Sequence, residues 1–503
     1  MPNSIAFLVL AAWPLVMVAL FRLLPPGRAL VWSLLGGYLL LPPHPTAFDF
    51  PLMPPLSKLT LPNVMALIIV MVMVRPKLEL LPRSTIGKVL TLTFVFCPVF
   101  TVLTNPEPVI FATGGLRGLH LMDVVALVIN QAILLISYLL ARQLLNTKED
   151  LRDLLIAMMI AGVAYGFPML LEVRLSPQIN TWVYGFFQHS FEQAIRSGGF
   201  RSLVFLSHGI WAAMLAMMTL SAAIILWKNE KGKIRIWAFA AALFLAVVLV
   251  LNKTLSPVLY GAVVISVVVM SSWRVQLQVA VLLAMLSIGY PVMKGAQLVP
   301  EAQILSLAAA ASEDRAGSLK FRFDNENILM ERAREKPLFG WGSWGRNHIH
   351  DPISGTIMTV SDGRWVITLG VFGWVGFLAE FGLLALPIFL LAYVASGTKR
   401  VVYKKRRQQA SVAIPVRRVL TDRIEEHALS PITGGIALVL ALNIVDLLPN
   451  ATLTPLTWLL AGALLGYSER IIQQREEFLS LKSTDKVPLE NSGVLAKTRE
   501  PVI

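Results

Sequence analysis

Residues 203–235 read LVFLSHGIWAAMLAMMTLSAAIILWKNEKGKIR. From Leu203 to Trp227 the only ionisable side chain is His208. Four basic residues, Lys228, Lys231, Lys233 and Arg235, then arrive within eight positions. A helix that crosses a bilayer needs about 20 mostly apolar residues, and cytoplasmic loops carry a surplus of Lys and Arg. The stretch therefore reads as a membrane span descending from an outer face to a cytoplasmic one.

The same signal recurs along the chain. Of 503 residues, 56% are hydrophobic and 15% charged, against about 45–50% and 25% in soluble domains. About thirteen apolar runs are long enough to consider as spans, near 4–22, 28–43, 60–74, 88–103, 121–141, 152–172, 203–227, 236–251, 255–271, 275–292, 366–396, 431–448 and 453–467. The expected fold is an all-α polytopic membrane protein with a large periplasmic loop that contains short surface helices. The run 366–396 exceeds one span, and Gly370, Gly373 and Gly376 suggest a short surface helix feeding a true span. The N-terminus has no basic n-region or small-residue cleavage site, so 4–22 reads as a retained span. Cys97 is the single cysteine, so a monomer has no disulfide framework.

The net charge is +14, from 44 Lys and Arg against 30 Asp and Glu. In a soluble protein such a surplus suggests nucleic acid; in this chain it is explained by basic cytoplasmic loops. Arg22 and Arg28, then Arg75, Lys77, Arg83 and Lys88, then Arg142, Lys148 and Arg152 occupy alternate loops. Lys228 to Arg235, Arg274 and the 397–430 loop with KKRR, Arg417, Arg418 and Arg423 continue the alternation. With the N-terminus periplasmic and the C-terminus cytoplasmic, all of them fall inside. The organisation expected is N-terminal spans in 1–172, a first long outer loop 173–202 and middle spans in 203–292. A large outer loop 293–365 follows, then C-terminal spans in 366–468 with the basic loop 397–430. The tail 469–503 reads as cytoplasmic, with its polar end disordered. The KKRR block reads as a topology signal that touches anionic headgroups.

Chemistry is expected on the outer face, because long loops in compact proteins are commonly functional or disordered. The first loop and its exit carry Arg174, Arg196, Arg201 and His208 in RLSPQINTWVYGFFQHSFEQAIRSGGFRSLVFLSHG. Outer loops are normally poor in arginine. RSGGFR reads either as headgroup contact or as a phosphate clamp, since Arg offers a planar, permanently charged fork and glycines let backbone N–H groups approach an anion. Lys253 and Asp446 lie at the ends of apolar runs; each is a functional candidate or a side chain reaching the interface. Six of the seven histidines, His44, His120, His189, His208, His348 and His350, fall on the outer side, with His427 inside.

The second loop holds SLKFRFDNENILMERAREKPLFGWGSWGRNHIHD, residues 318–351. Asp324 or Asn325 is expected to cap a helix that Pro337 terminates, leaving Arg322 just ahead of it. The GWGSWG glycines allow a tight turn, and Trp341 and Trp344 suit headgroup depth. His348, His350 and Asp351 supply too few ligands for a specific metal site. Asp362 precedes the next helix as an N-cap, as a carboxylate base at the membrane surface, or as both.

Arg322 followed fifteen residues later by PLFGWG, and then by a glycine-rich helix from Asp362 through Gly376, resembles the O-antigen ligase and O-antigen polymerase family of bacterial inner membranes. RSGGFRSLVFLSHG resembles the family's earlier arginine segment, and Lys253 with its neighbours its middle-span basic segment. The resemblance covers roughly 190–395. Asp362 and Gly363 stand where the family usually has His-Asn, Asn325 where it often has Trp, and Lys253 where it has Arg. In ligases that histidine is regarded as the base for the acceptor hydroxyl, so polymerisation of surface polysaccharide or exopolysaccharide repeats fits better than transfer to lipid A-core.

The resemblance implies a donor glycan on undecaprenyl diphosphate, an acceptor glycan, the lipid bilayer and chain-length or export proteins as partners, no nucleic acid, and no metal or other cofactor. Arg196, Arg201, Arg322 and Lys253 would bind the diphosphate. Asp362, then His350, then His208 are the candidates for the base. Two rival readings are a transporter of a lipid-linked glycan or other anion, and a non-catalytic subunit of an export system.

Overall fold

The computed structural model describes the chain except for residues 51–52, 75–77, 197, 409–428 and 485–503. Arg75, Lys77, Arg417, Arg418, Arg423 and His427 lie outside the described residues. Each of the thirteen apolar runs forms a helix. The first six long ones are α1 (Ser4–Leu23), α2 (Pro26–Leu40), α3 (Leu61–Ile69, continued by a π-helical turn Val70–Val74), α4 (Thr85–Leu103), α5 (Leu121–Leu144) and α6 (Lys148–Leu175). Two short helices follow, α7 (Ile179–Tyr184) and α8 (Phe191–Ala194). Then come α9 (Gly209–Asn229), α10 (Gly232–Leu251), α11 (Leu255–Met270) and α12 (Trp273–Gly295). The large loop adds α13 (Glu301–Ala311) and α14 (Glu313–Glu335), and the chain continues through α15 (Arg364–Gln408), α16 (Ile432–Asp446) and α17 (Pro455–Thr484).

Among the described residues eight helices, α1, α4, α5, α6, α9, α10, α12 and the 364–396 part of α15, are long and apolar enough to cross a membrane. The shorter 61–74, 255–270 and 432–446 helices are also apolar. The molecule is thus a helical membrane protein. Helix α9 is its axis: sixteen of its residues are buried, against α6, α10, α11 and α16. Gly162 of α6 meets Thr219 and Gly435 of α16 meets Ile225, the small-residue contact that lets apolar helices approach in lipid. Helix α10 shows the opposite pattern. Ile236, Phe239, Leu243, Val247 and Val250 are all exposed along one helical stripe, a surface suited to acyl chains and not to water.

The connections sort onto two faces. On one, Arg28 pairs with Asp153 at 2.6 Å and Arg152 with Glu230 at 2.7 Å. There Arg142 and Glu469 form a buried ion pair at 2.7 Å, and Lys228 donates to the Ser271 carbonyl. These are the basic connections that the sequence assigns to one side. On the other face lie residues 41–50, 53–60, 104–120, 176–196, 198–208, 252–254, 296–363 and 447–454, linked to one another by hydrogen bonds. Lys58 donates to the Phe205 carbonyl, Ser202 N–H to Asn252, Arg346 to the Arg117 and Glu107 carbonyls, and Arg364 N–H to the Asn450 carbonyl.

The fold is nearly all-α; among the described residues three small antiparallel hairpins, β1–β2 (Ala47–Phe48, Leu56–Ser57), β3–β4 (Val109–Phe111, Gly114–Leu116) and β5–β6 (Ile195–Arg196, Gly199–Phe200), decorate the second face. Two expectations need correction. Helix α14 is continuous from Glu313, so Arg322 sits within it and Asn325 is no cap. The Asn325 side chain instead bridges the Phe321 carbonyl and the Val360 N–H. Helix α17 runs on through Thr484, so 476–484 is helical, and the rest of the expected disordered tail, 485–503, lies outside the described residues; Arg470 and Arg475 anchor the helix to Asn146 and to the Val394 carbonyl.

Helix α15 is broken at Gly373 (φ 66°, ψ −167°), as its glycines suggest, and its first half packs inside the protein. Trp365, Val366, Leu369, Val371 and Phe372 are buried. The two halves bend back toward each other, so that Arg364 meets Glu380 in a bidentate pair at 2.6 and 2.7 Å. The PLFGWG segment makes this break possible. Trp341 and Gly342 N–H groups donate to the Gly370 and Val371 carbonyls that end the first half (2.8 and 3.0 Å). Trp374 and Val375 N–H groups, at the start of the second half, donate to the Pro337 and Leu338 carbonyls (2.8 and 3.2 Å). Helix ends expose carbonyls and N–H groups without intrahelical partners, and here one turn satisfies both sets.

Candidate functional site

The hairpin β5–β6 and the segment after it bring two arginines to the second face. Gly198 turns the hairpin at φ 67°, and Arg201 N–H closes it by donating to the Ala194 carbonyl at 2.8 Å. The following residues, 202–206, are held from every side. Glu172, buried near the end of α6, accepts the Leu203 and Val204 N–H groups at 2.7 Å each and the Ile179 N–H at 3.0 Å. Tyr165 accepts the Phe205 N–H, and Gln188 donates to the Val204 and Leu206 carbonyls. This network holds Val204 at φ 53°, a conformation that costs a β-branched residue of order 1–3 kcal/mol. Arg201 emerges from that frame with its stem against Gly209, where a methyl group would come within 3.1 Å of the Arg201 Cβ.

A cavity of about 780 Å³ opens beside it. Its walls include Arg196, Arg201 and His208 from the first loop, Arg322 and Phe321 from α14, Asp362 ahead of α15, and His44, His189, Asn450 and Thr452. Arg322 Nε donates to Asp362 Oδ2 at 3.1 Å. Among the described residues no carboxylate pairs with Arg196 or Arg201, and the buried Nε of Arg201 has no hydrogen-bond partner. Burial, then the charges of Arg196 and Arg322, push the Arg201 guanidinium down to about 10. Three guanidinium groups around one carboxylate leave the cavity with surplus positive charge. A buried cation without an anion is costly, so the arrangement is suited to receiving one. Behind the wall, Asp446 is buried and accepts from Asn450 at 2.9 Å and Thr452 at 2.6 Å, which fixes the two cavity-lining side chains.

Five of the seven residues singled out in the sequence, Arg196, Arg201, His208, Arg322 and Asp362, line this cavity. Lys253 reaches the same hairpin, its Nζ lying against Gly199, but does not line it. His350 lies elsewhere. Its ring packs on Phe111 at 5.0 Å, and its strand bridge to Ile357 belongs to the 347–360 turn. Asp351 is engaged by the Ile353 and Ser354 N–H groups. Among the described residues no three His, Cys, Asp or Glu side chains come together as a ligand set.

The sequence reading left His189 and His44 without a role. His189 packs against His208 with ring centroids 4.5 Å apart; its position in QHSFEQ carries no local signal beyond its side of the membrane. No known family model matches the chain, and no characterised protein matches it.

Proposed function

We propose that this chain is a glycosyltransferase of the bacterial inner membrane. It polymerises or ligates glycan units from an undecaprenyl-diphosphate-linked donor at the periplasmic face, in surface polysaccharide assembly. The observation that carries the reading is the meeting of Arg196, Arg201 and Arg322 with Asp362 around one cavity, although the arginines come from loops more than a hundred residues apart. On this reading thirteen helices span the bilayer. The face with the basic connections is cytoplasmic by the positive-inside rule, which puts the cavity outside, where nucleotide sugars are absent.

The acceptor hydroxyl oxygen attacks the anomeric carbon of the donor sugar. The bond from that carbon to the diphosphate oxygen breaks, its electron pair leaves with undecaprenyl diphosphate, and the hydroxyl proton passes to Asp362. Fixed guanidinium groups neutralise the charge that develops on the leaving group, the kind of preorganised stabilisation that is commonly the largest catalytic contribution. Base assistance contributes about 10²–10⁴-fold. Asp362 replaces the histidine of the resembled family in this role, and Arg322 holds its carboxylate until a diphosphate competes for the guanidinium.

Purified protein given a synthetic undecaprenyl-diphosphate-linked oligosaccharide should lengthen or transfer the glycan with no second protein. Passage of that lipid across a proteoliposome membrane without any new glycosidic bond would instead establish a transporter.

A further inference from the structure

His208 is the cavity residue whose chemistry the proposed reaction leaves unassigned. It is the N-cap of α9, and its Nδ1 accepts the Ile210 N–H at 3.0 Å. A ring nitrogen that accepts a backbone N–H carries no proton, so the neutral ring must hold its proton on Nε2. Among the described residues no protein group takes up Nε2. The groups facing the ring are His189, Arg196, Arg201 and Arg322, with Asp362 on the same wall but engaged by Arg322. Burial first, then His189 and the three arginines, push His208 down to about 4. A cation there would have to form among guanidinium groups.

We infer that His208 serves the anion site as a neutral hydrogen-bond donor, offering Nε2–H to an oxygen of the bound diphosphate, and takes no part as a base. This rests on the diphosphate reading of the cavity. A histidine with Nδ1 occupied and Nε2 protonated has no free lone pair with which to accept the acceptor's proton. It adds a donor without adding a fourth positive charge, and its contribution stays constant across the neutral range.

The test uses purified full-length protein in nanodiscs, with undecaprenyl diphosphate as the probe and binding measured at pH 5.5 and 7.5. His208→Asn keeps an acceptor for the Ile210 N–H, and Asn is a favoured N-cap, but it lacks the distal donor. His208→Gln extends an N–H to about the reach of Nε2. The expected result is binding about tenfold weaker for His208→Asn, the order of one hydrogen bond to a charged group. His208→Gln should bind within about threefold of wild type, and neither the wild type nor the Gln variant should gain affinity at the lower pH beyond what the lipid's own titration gives. Wild-type affinity in His208→Asn overturns the inference. So does a gain at pH 5.5 that the wild type shows and His208→Gln lacks, since that marks an imidazolium. Wild-type protein that does not bind the lipid at all overturns the diphosphate reading itself.

Discussion

A single carboxylate, Glu172, determines where Arg201 stands. It sits twenty-nine residues before the arginine, almost completely buried, and three backbone N–H groups converge on it. Removing it strands those donors, and each buried unsatisfied group costs about 1–3 kcal/mol. Glu172→Ala should therefore lower the melting temperature in detergent markedly, and Glu172→Gln, which keeps one carbonyl oxygen, should fall between it and wild type. Equal melting of all three would show that the frame around Val204 stands without the carboxylate. At the other side of the cavity, Arg322→Ala should abolish polymer assembly in cells while the protein remains in the membrane. Normal polymer in that variant would end the glycosyltransferase assignment. Asp362→Asn should lower glycan transfer by about 10²–10⁴-fold, yet bind undecaprenyl diphosphate at least as well as wild type, because Arg322 loses its competing partner. A binding defect equal to the activity defect would make Asp362 a structural residue. The arginines of the cavity were legible in the sequence because loops that read as outer rarely hold arginine. Glu172 was not, since a lone acid near the end of an apolar run gives no hint of the backbone that will fold over it.

At the level of elements, apolar runs translated directly into helices, because length and hydropathy alone fix a helix in lipid. What failed to translate were features set by contacts distant in sequence. The two- and three-residue strands have too little alternation to register. Helix α14 begins nine residues before Arg322, through SEDRAGSLK, and Asn325, which reads as a cap, spends its side chain on the Phe321 carbonyl and the Val360 N–H instead. The glycine-rich run was rightly read as a break, but only the paired geometry with PLFGWG shows why it must fall at Gly373. There the backbone has φ 66° and ψ −167°, a region essentially reserved for glycine, and a methyl group would overlap the Leu338 carbonyl. Gly373→Ala should therefore reduce folded yield and lower the melting temperature by several degrees. A variant that melts with wild type would mean that the turn tolerates a different exit angle. Trp341, which suits headgroup depth, also holds the turn: its indole donates to the Arg332 carbonyl at 2.8 Å and the Arg332 guanidinium lies over its ring at 3.4 Å.

Across the whole molecule, the two faces can be tested directly, because Cys97 is buried and gives little background labelling. Ser354 and Lys231 are both exposed, on opposite faces. A membrane-impermeant maleimide should label Ser354→Cys in intact spheroplasts and reach Lys231→Cys only after permeabilisation. The reverse pattern would invert the topology and put the cavity in the cytoplasm. The basic residues of the described connections already grouped these loops on one face in the sequence, and the labelling decides which face is cytoplasmic. The convergence of residues 196–208 with 322 and 362 was not, because no local pattern encodes which outer loops touch.

The folded-back α15 gives the site a mechanical character. Asp362 stands at the far end of an arm roughly 15 Å long, taking about 1.5 Å per helical residue, with Gly373 as its pivot. A rotation of about 5° at the pivot would carry the carboxylate more than an ångström, and a misplacement of that size can cost about 10²-fold in rate. The Arg364–Glu380 pair closes the third side of a triangle and makes the arm a truss. Loosening that strut, as in Glu380→Gln, should lower glycan transfer by shifting Asp362, while undecaprenyl diphosphate binding, which rests on Arg196 and Arg201, holds.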